Sequence, residues 1–314
     1  MSEPAPDLHG ARVLVTGAGG FLGRHLVAAL AAAGATVLGP RRAELDLRDA
    51  AATRAWMLRH GPSHVVHAAA VGGGIGWMAA HPADSLRDNL AMAGSVLDAA
   101  HHVGVKRFVG VSSACAYPGA AAQPMREDAI FDGPPEPTNG PYGHAKRVLL
   151  VQGAAMAAQY GFSCAFVVPT NLYGPGDDLD PARSHLVAAL VRRFLEARRD
   201  GVREVACWGT GRATRDLLHV RDAAAGVVAA LRHAPDARPI NLGSGQERTT
   251  REIASAVASA VGWHGEIRWD ETRPDGMPRK VLDTQRAREV LRWTPTTPLD
   301  VGLEETVAWA RSQV

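Results

Sequence analysis

The chain is poor in lysine, cysteine and aromatic residues, and each shortage excludes something. Lys106, Lys146 and Lys280 are its only lysines, so arginine carries nearly all of the basic charge. Lys+Arg come to 34 against 32 Asp+Glu, a net charge of +2. That leaves no basic excess for a nucleic-acid binder. The cysteines are Cys115, Cys164 and Cys207. Such an odd, sparse set makes no disulfide framework and suits a reducing compartment. No Cys-x-x-Cys pair or His/Cys cluster has zinc spacing, so no metal is expected. Long apolar runs are missing too. The longest, His25 to Leu38, contains Gly34 and is too short to span a bilayer. The opening MSEPAPDLHG carries acids and prolines in place of a signal peptide. The expectation is a cytoplasmic protein that engages neither membrane nor nucleic acid.

What is present is enough for a substantial core: 314 residues, 46% hydrophobic and 21% charged. Strand-like and helix-like stretches alternate through the first half. Arg12–Thr16, Ala35–Leu38, His64–Ala68 and Arg107–Val111 read as strands. Phe21–Ala33, Ala51–Arg59 and Ser85–His101 read as helices. This alternation predicts an α/β fold, a Rossmann-type doubly wound parallel sheet. A proline- and glycine-rich stretch, Pro118 to Pro141, interrupts it; ordered loops of that length are often functional. A helix over Tyr142–Tyr160 and a strand over Cys164–Val168 follow. Later, Ser184–Arg199 (with Ser184 as N-cap), Thr249–Val261 and Leu299–Ala310 read as helices. With strands near Val205, Ile240 and Ile267 they form a smaller C-terminal α/β substrate-binding region. The division predicted is 1–170 for a cofactor-binding domain and 171–314 mainly for substrate, with parts of about 212–245 returning to the first.

Thr16-Gly-Ala-Gly-Gly-Phe-Leu-Gly23 joins the first strand to the first helix. Gly17, Gly20 and Gly23 allow a tight turn, close approach of backbone to a pyrophosphate, and close helix–sheet packing. Phe21 and Leu22 open a helix whose free N–H groups favour an anion. This position in a βαβ pattern predicts a dinucleotide site. At the end of the second strand stands Val37-Leu-Gly-Pro-Arg-Arg42. Arginines without a carboxylate suit the 2′-phosphate of NADP rather than the free hydroxyl of NAD. Asp46 and Leu47 are candidates to bracket the adenine.

Tyr142 and Lys146 lie four apart, on one helix face. An ammonium beside a phenol favours the phenolate, so Lys146 is expected to draw Tyr142 toward neutral pH and to hold the nicotinamide ribose. Ser113 follows the fourth strand, at the carboxyl edge where doubly wound sheets bind ligands. It is placed to hydrogen-bond a substrate carbonyl together with Tyr142. Cys115 lies two residues on.

These residues resemble the extended short-chain dehydrogenase/reductase family. Within it, the likeness is to the branch of GDP-4-keto-6-deoxymannose 3,5-epimerase-4-reductases. It runs from about Val13 to the last helix, and its selective segments are Ser113-Ala-Cys-Ala-Tyr-Pro118, Ser184-His185 and Pro274-Asp-Gly-Met-Pro-Arg-Lys280. The resemblance implies an NADPH-dependent enzyme acting on a nucleotide sugar, GDP-linked or dTDP-linked. Ser113, Tyr142 and Lys146 would act at the C4 carbonyl, and Cys115 and His185 would form the proton-transfer pair for epimerisation. Ala68, Ala69, Pro169, Asn171, Leu172 and His185 would lie along the cofactor. Arg193, Trp208, Arg215, Asp275 and Lys280 would line the nucleotide-sugar site. A homodimer paired through Ser85–His101 and Tyr142–Tyr160 is expected by the same analogy. Gly76-Trp77-Met78 departs from the family pattern and could reshape the sugar pocket. Three rival readings stay open: a 4-ketoreductase of a dTDP-4-keto-6-deoxyhexose, a redox-neutral epimerase or dehydratase with bound NAD, and a cofactor-sensing regulator without turnover.

Overall fold

A computed structural model describes residues 8–273 and 276–314. In chain order the first half runs β1 (Arg12–Thr16), α1 (Phe21–Ala32), β2 (Thr36–Leu38), α2 (Ala50–His60), β3 (His64–His67), α3 (Ile75–Ala80), α4 (Pro82–His102), β4 (Arg107–Val111), α5 (Gly140–Tyr160) and β5 (Cys164–Pro169). The second half runs β6 (Asn171–Tyr173), α6 (Leu186–Arg199), β7 (Glu204–Trp208), β8 (Thr214–His219), α7 (Val220–His233), β9 (Pro239–Leu242), β10 (Glu247–Thr249), α8 (Thr250–Val261), β11 (Glu266–Asp270), β12 (Arg279–Lys280) and α9 (Leu299–Ala310).

Six strands form one parallel sheet in the order β2-β1-β3-β4-β5-β9. Its strands are apolar because helices cover both faces. Val13, Val15, Val66, Val109 and Val167 pack toward α1 and α7. Leu14, Val65, Phe108, Phe166 and Val168 pack toward α4 and α5. The strand order reverses between β1 and β3, so a crevice opens at their carboxyl ends. A separate core joins α6, α8 and α9 to β7 through Phe194, Val257, Leu303 and Val205.

The structure departs from the sequence reading at three places. The strand near Ile240, within the 212–245 stretch, does not join the strands near Val205 and Ile267; it is β9, paired with β5 in the main sheet. Ser184 does not cap α6: its N–H donates to Asp180 O at 2.7 Å in the preceding turn. His185 occupies the cap position, with extended backbone and no side-chain capping bond. The third departure is α3, a short helix between the glycine run and α4.

The long 118–141 stretch is tied down by hydrogen bonds to residues far along the same chain. Tyr117 Oη donates to Asn241 Oδ1 at 2.7 Å, and Asn241 Nδ2 donates to Met125 O at 2.9 Å. Met125 N donates to Val281 O, and Asp283 N donates to Met125 O, at 2.8 and 2.9 Å. These bonds draw the segment carrying Lys280 up against the loop carrying Cys115.

Candidate active site

One cavity of about 1690 Å³ runs from the glycine loop to Trp208. It exceeds the roughly 300–1,000 Å³ of a site for one small ligand, and so has room for two.

At one end lies the turn after β1. Gly17 has φ +73°, and a Cβ there would stand 2.8 Å from Ala69 Cα; one at Gly23 would collide with Gly17 O. Only glycine permits this packing. Thr16 Oγ1 ties the turn to β3: it lies 2.8 Å from His67 Nδ1 and accepts from Ala69 N at 3.2 Å. Burial, with a smaller push from Lys146, brings His67 down to about 3, so the ring is neutral. Helix α1 starts without a side-chain cap and without an acid in its first turn, which leaves its N–H groups for an anion. Arg41 and Arg42 line the cavity nearby, and among the described residues neither guanidinium is ion-paired to a carboxylate within 4.0 Å. Asp46 and Leu47 also line this end, but the Asp46 carboxylate is engaged by Arg48 at 2.6 Å. That hydrogen bond holds its pKa well below the usual carboxylate range. A cradle of glycines, a bare helix N-terminus and two unpaired guanidiniums fit NADP.

The middle of the cavity holds the reactive groups. Ser113 follows β4 and accepts from Cys115 N at 3.2 Å. Lys146 is buried in α5; its Nζ donates to Val111 O at 3.0 Å and lies 5.5 Å from the centre of the Tyr142 ring. Burial lowers Lys146 to about 8. The expectation that Lys146 draws Tyr142 toward neutrality is corrected. Burial, joined by Cys115, drives the phenol above its ordinary value, and the hydrogen bond from Ser113 only partly opposes them. One of the three ammonium N–H groups goes to the Val111 carbonyl, and burial favours the protonated form of Tyr142.

Cys115 is half-buried. Its sulfur accepts from Asn139 Nδ2 and from Lys280 Nζ, each at 3.6 Å. His185 reaches the same cavity from the start of α6. Burial, then Lys280, lowers its pKa below the ordinary histidine value against a weaker pull from Asp178. Pro169, Asn171 and Leu172 also line the cavity, as do Ala68 and Ala69.

At the far end Trp208 is 61% exposed, with the Arg273 guanidinium 5.2 Å over its ring. Arg193 Nη1 donates to Ala206 O at 2.6 Å. Arg215 Nη1 donates to Thr214 O and Met277 O, each at 2.7 Å. Every candidate catalytic, cofactor-binding and substrate-binding residue named from the sequence lines this one cavity, apart from Asp275, which lies outside the described residues.

Sequence reasoning missed several groups. Asn139, three residues before Tyr142, holds the thiol. Arg48, two residues after Asp46, neutralises it. Asp177 lines the cavity with 6% exposure, and its Oδ2 has no hydrogen-bond partner. Burial raises its pKa to about 7. Nothing local in the sequence marks this aspartate as buried.

A sequence profile of the NAD dependent epimerase/dehydratase family matches residues 13–243. The chain is 40% identical over 300 residues to GDP-L-fucose synthase 1 of Arabidopsis thaliana, covering 95% of this chain and 93% of that one. A GDP-L-fucose synthetase from Naegleria fowleri bound to NADP superposes with TM-score 0.90 at 25% identity, covering 99% of this chain and 98% of that one. A GDP-mannoheptose C4 reductase from Campylobacter jejuni with NADP bound superposes with TM-score 0.86 at 25% identity, covering 96% and 98%.

Proposed function

The chain belongs to the NAD dependent epimerase/dehydratase family, and from that premise we propose that it is an NADPH-dependent nucleotide-sugar epimerase/reductase. It converts GDP-4-keto-6-deoxy-D-mannose to GDP-L-fucose, or makes a close analogue, by epimerising C3 and C5 and reducing C4. The observation that carries this reading is the meeting of Cys115 and His185 with Ser113, Tyr142 and Lys146 around one cavity. A simple ketoreductase has no use for the first two.

A C4 ketone acidifies the protons on C3 and C5. Removing one leaves an enolate, whose oxygen Ser113 and Tyr142 stabilise as preorganised donors. Cys115 is the base, with the Lys280 ammonium offsetting negative charge on its sulfur. Inversion needs a second group on the opposite face, and His185 supplies it. Its lowered pKa makes it the stronger acid once it has taken up a proton. When bound, NADPH supplies the hydride that reduces C4. Tyr142, held as a phenol, delivers the proton to the C4 oxygen. Arg193 and Arg215 hold the substrate diphosphate, and Trp208 offers an aromatic face to the base. Arg41 and Arg42 take the 2′-phosphate of the cofactor, while the glycine loop takes its diphosphate.

The enzyme acts in the cytoplasm as a homodimer. Exposed Val148 and Val151 on α5 support pairing through that helix and α4, and no helix among the described residues is long and apolar enough to cross a membrane.

The test is incubation with NADPH and GDP-4-keto-6-deoxymannose in D₂O, followed by NMR of the product. GDP-L-fucose carrying deuterium at C3 and C5 is expected. A reduced sugar without deuterium makes the protein a plain 4-ketoreductase, and no NADPH consumption overturns the reading altogether.

A further inference from the structure

The mechanism above makes no use of α3, although Ile75, Trp77 and Met78 all line the cavity. This helix is fastened on both sides of the cleft. Gly74 N donates to Arg183 O at 2.8 Å, just ahead of Ser184 and His185. A Cβ at Gly74 would stand 2.5 Å from Ser184 O, so only glycine lets the two segments meet. Across the cleft, Ile75 Cδ1 and Arg215 Nη2 converge on Gly276, 3.7 and 3.6 Å from its Cβ position. Behind the helix, Met78 Cε and the Tyr142 ring close on Gly72, at 2.9 and 3.5 Å from its Cβ position. So α3 lies between the loop of His185 and the loop facing Arg215, and its buried Met78 and the Tyr142 ring both close on Gly72. Ile75 is 54% exposed, an apolar side chain standing open to the cavity.

The chemistry of this wall is one-sided. Gly72 to Ala80 reads GGGIGWMAA, without a hydroxyl, carboxyl, amide or ammonium side chain. The indole N–H of Trp77 is its one strong side-chain donor, and it offers no oxygen acceptor from a side chain, so a sugar hydroxyl turned toward it would lose water and regain little. The polar side chains of the reactive centre come from other segments of the chain: Ser113, Cys115, Asn139, Tyr142, His185 and Lys280. The part of the sugar that faces α3 is therefore one that asks for no hydrogen bond. In a 4-keto-6-deoxyhexose that part is the C6 methyl group. A heptose presents a hydroxylated two-carbon arm there instead.

We infer, resting on the function proposed above, that α3 is the specificity wall of this enzyme. Through Ile75 and Trp77 it selects a 6-deoxyhexose and rejects the longer, hydroxylated sugar handled by one of its structural neighbours. Neither side chain takes part in the chemistry; they set which sugar can bring its C4 carbonyl to Tyr142.

Rates of NADPH oxidation on GDP-4-keto-6-deoxymannose and on the matching GDP-4-keto-heptose test this. Wild-type protein should favour the deoxyhexose in kcat/KM by about 10–200-fold, the range an apolar pocket achieves against one extra carbon or hydroxyl. Trp77→Ala and Ile75→Ser should each lower that ratio by about tenfold or more, with part of the change coming from faster heptose turnover. Ile75 is solvent-facing, so its replacement leaves the fold intact even if Trp77→Ala does not. A wild-type preference for the heptose overturns the inference and leaves the proposed function standing, and so does a ratio that Ile75→Ser does not move. No oxidation of NADPH by wild-type protein with either sugar overturns the proposed function itself.

Discussion

The Lys280 ammonium donates to the Cys115 sulfur at 3.6 Å, from 165 residues further along the chain. Two pairings set up this contact. Lys280 lies opposite Arg215 where β12 meets β8, and the next residue, Val281, accepts from Met125 N in the long loop. A cation at that point lowers the cost of charge on sulfur, and a hydrogen bond to a charged group is worth about 1.5–3 kcal/mol. Lys280→Met should therefore slow deuterium entry at C3 and C5 by about 10–100-fold. Cys115→Ser should slow it by about 10²–10⁴-fold. NMR of the sugar incubated in D₂O checks both. Exchange that survives Cys115→Ser intact removes the thiol as base.

Tyr142 should separate the two halves of the reaction. Tyr142→Phe removes the proton donor at C4 and should lower reduction by about 10²–10⁴-fold. Ser113 still faces the enolate oxygen in that variant, so deuterium exchange should fall less than NADPH oxidation. Equal losses of both would mean that the phenol does nothing specific to reduction.

Arg42 carries the cofactor preference together with Arg41. Removing one guanidinium from a phosphate contact should weaken NADPH binding by about 10–100-fold while leaving NADH binding as it was. Fluorescence titration of Arg42→Ala with both dinucleotides reads this directly. An unchanged ratio of dissociation constants would exclude Arg42 from the 2′-phosphate site.

Asp177 should give the protein a pH-dependent weakness. Its folded pKa of about 7 lies above its ordinary 3.8 because burial disfavours the carboxylate. A raised acid binds more protons folded than unfolded, so its contribution to stability falls as pH climbs from about 4 to 7. At about 1.36 kcal/mol per pH unit, the loss reaches up to about 4 kcal/mol above neutrality. Asp177→Asn should thus raise the stability of the protein at pH 8 far more than at pH 4.5, by urea unfolding. Equal effects at both pH values would show that the carboxyl does not titrate in this range.

The parts of this molecule that were legible in the sequence are those whose partners lie close along the chain. The glycine loop shows because three glycines and the flanking strand and helix fall within one turn of backbone. Tyr142 and Lys146 show because four residues make one helical turn. What hid was long-range or compensatory. Helix α3 is six residues long and carries a glycine, too little for a periodic signal. Strand β8 holds Arg215 and a fully buried Asp216, whose carboxylate accepts from Ser244 N and Oγ; no propensity scale reads a charged segment as interior. Lys146 was expected to draw down the phenol beside it, and no spacing rule could reveal that burial around Tyr142 would push the other way.

The pairing of β5 with β9 has a further consequence for anyone dividing the protein. All six residues of β5 are buried, and one of its two neighbours arrives only at Pro239–Leu242. A truncation after residue 170 would strip that neighbour away and leave β5 as a naked, hydrophobic border with unpaired amides. Such a fragment would clump rather than fold, so the two halves of the molecule must be made together.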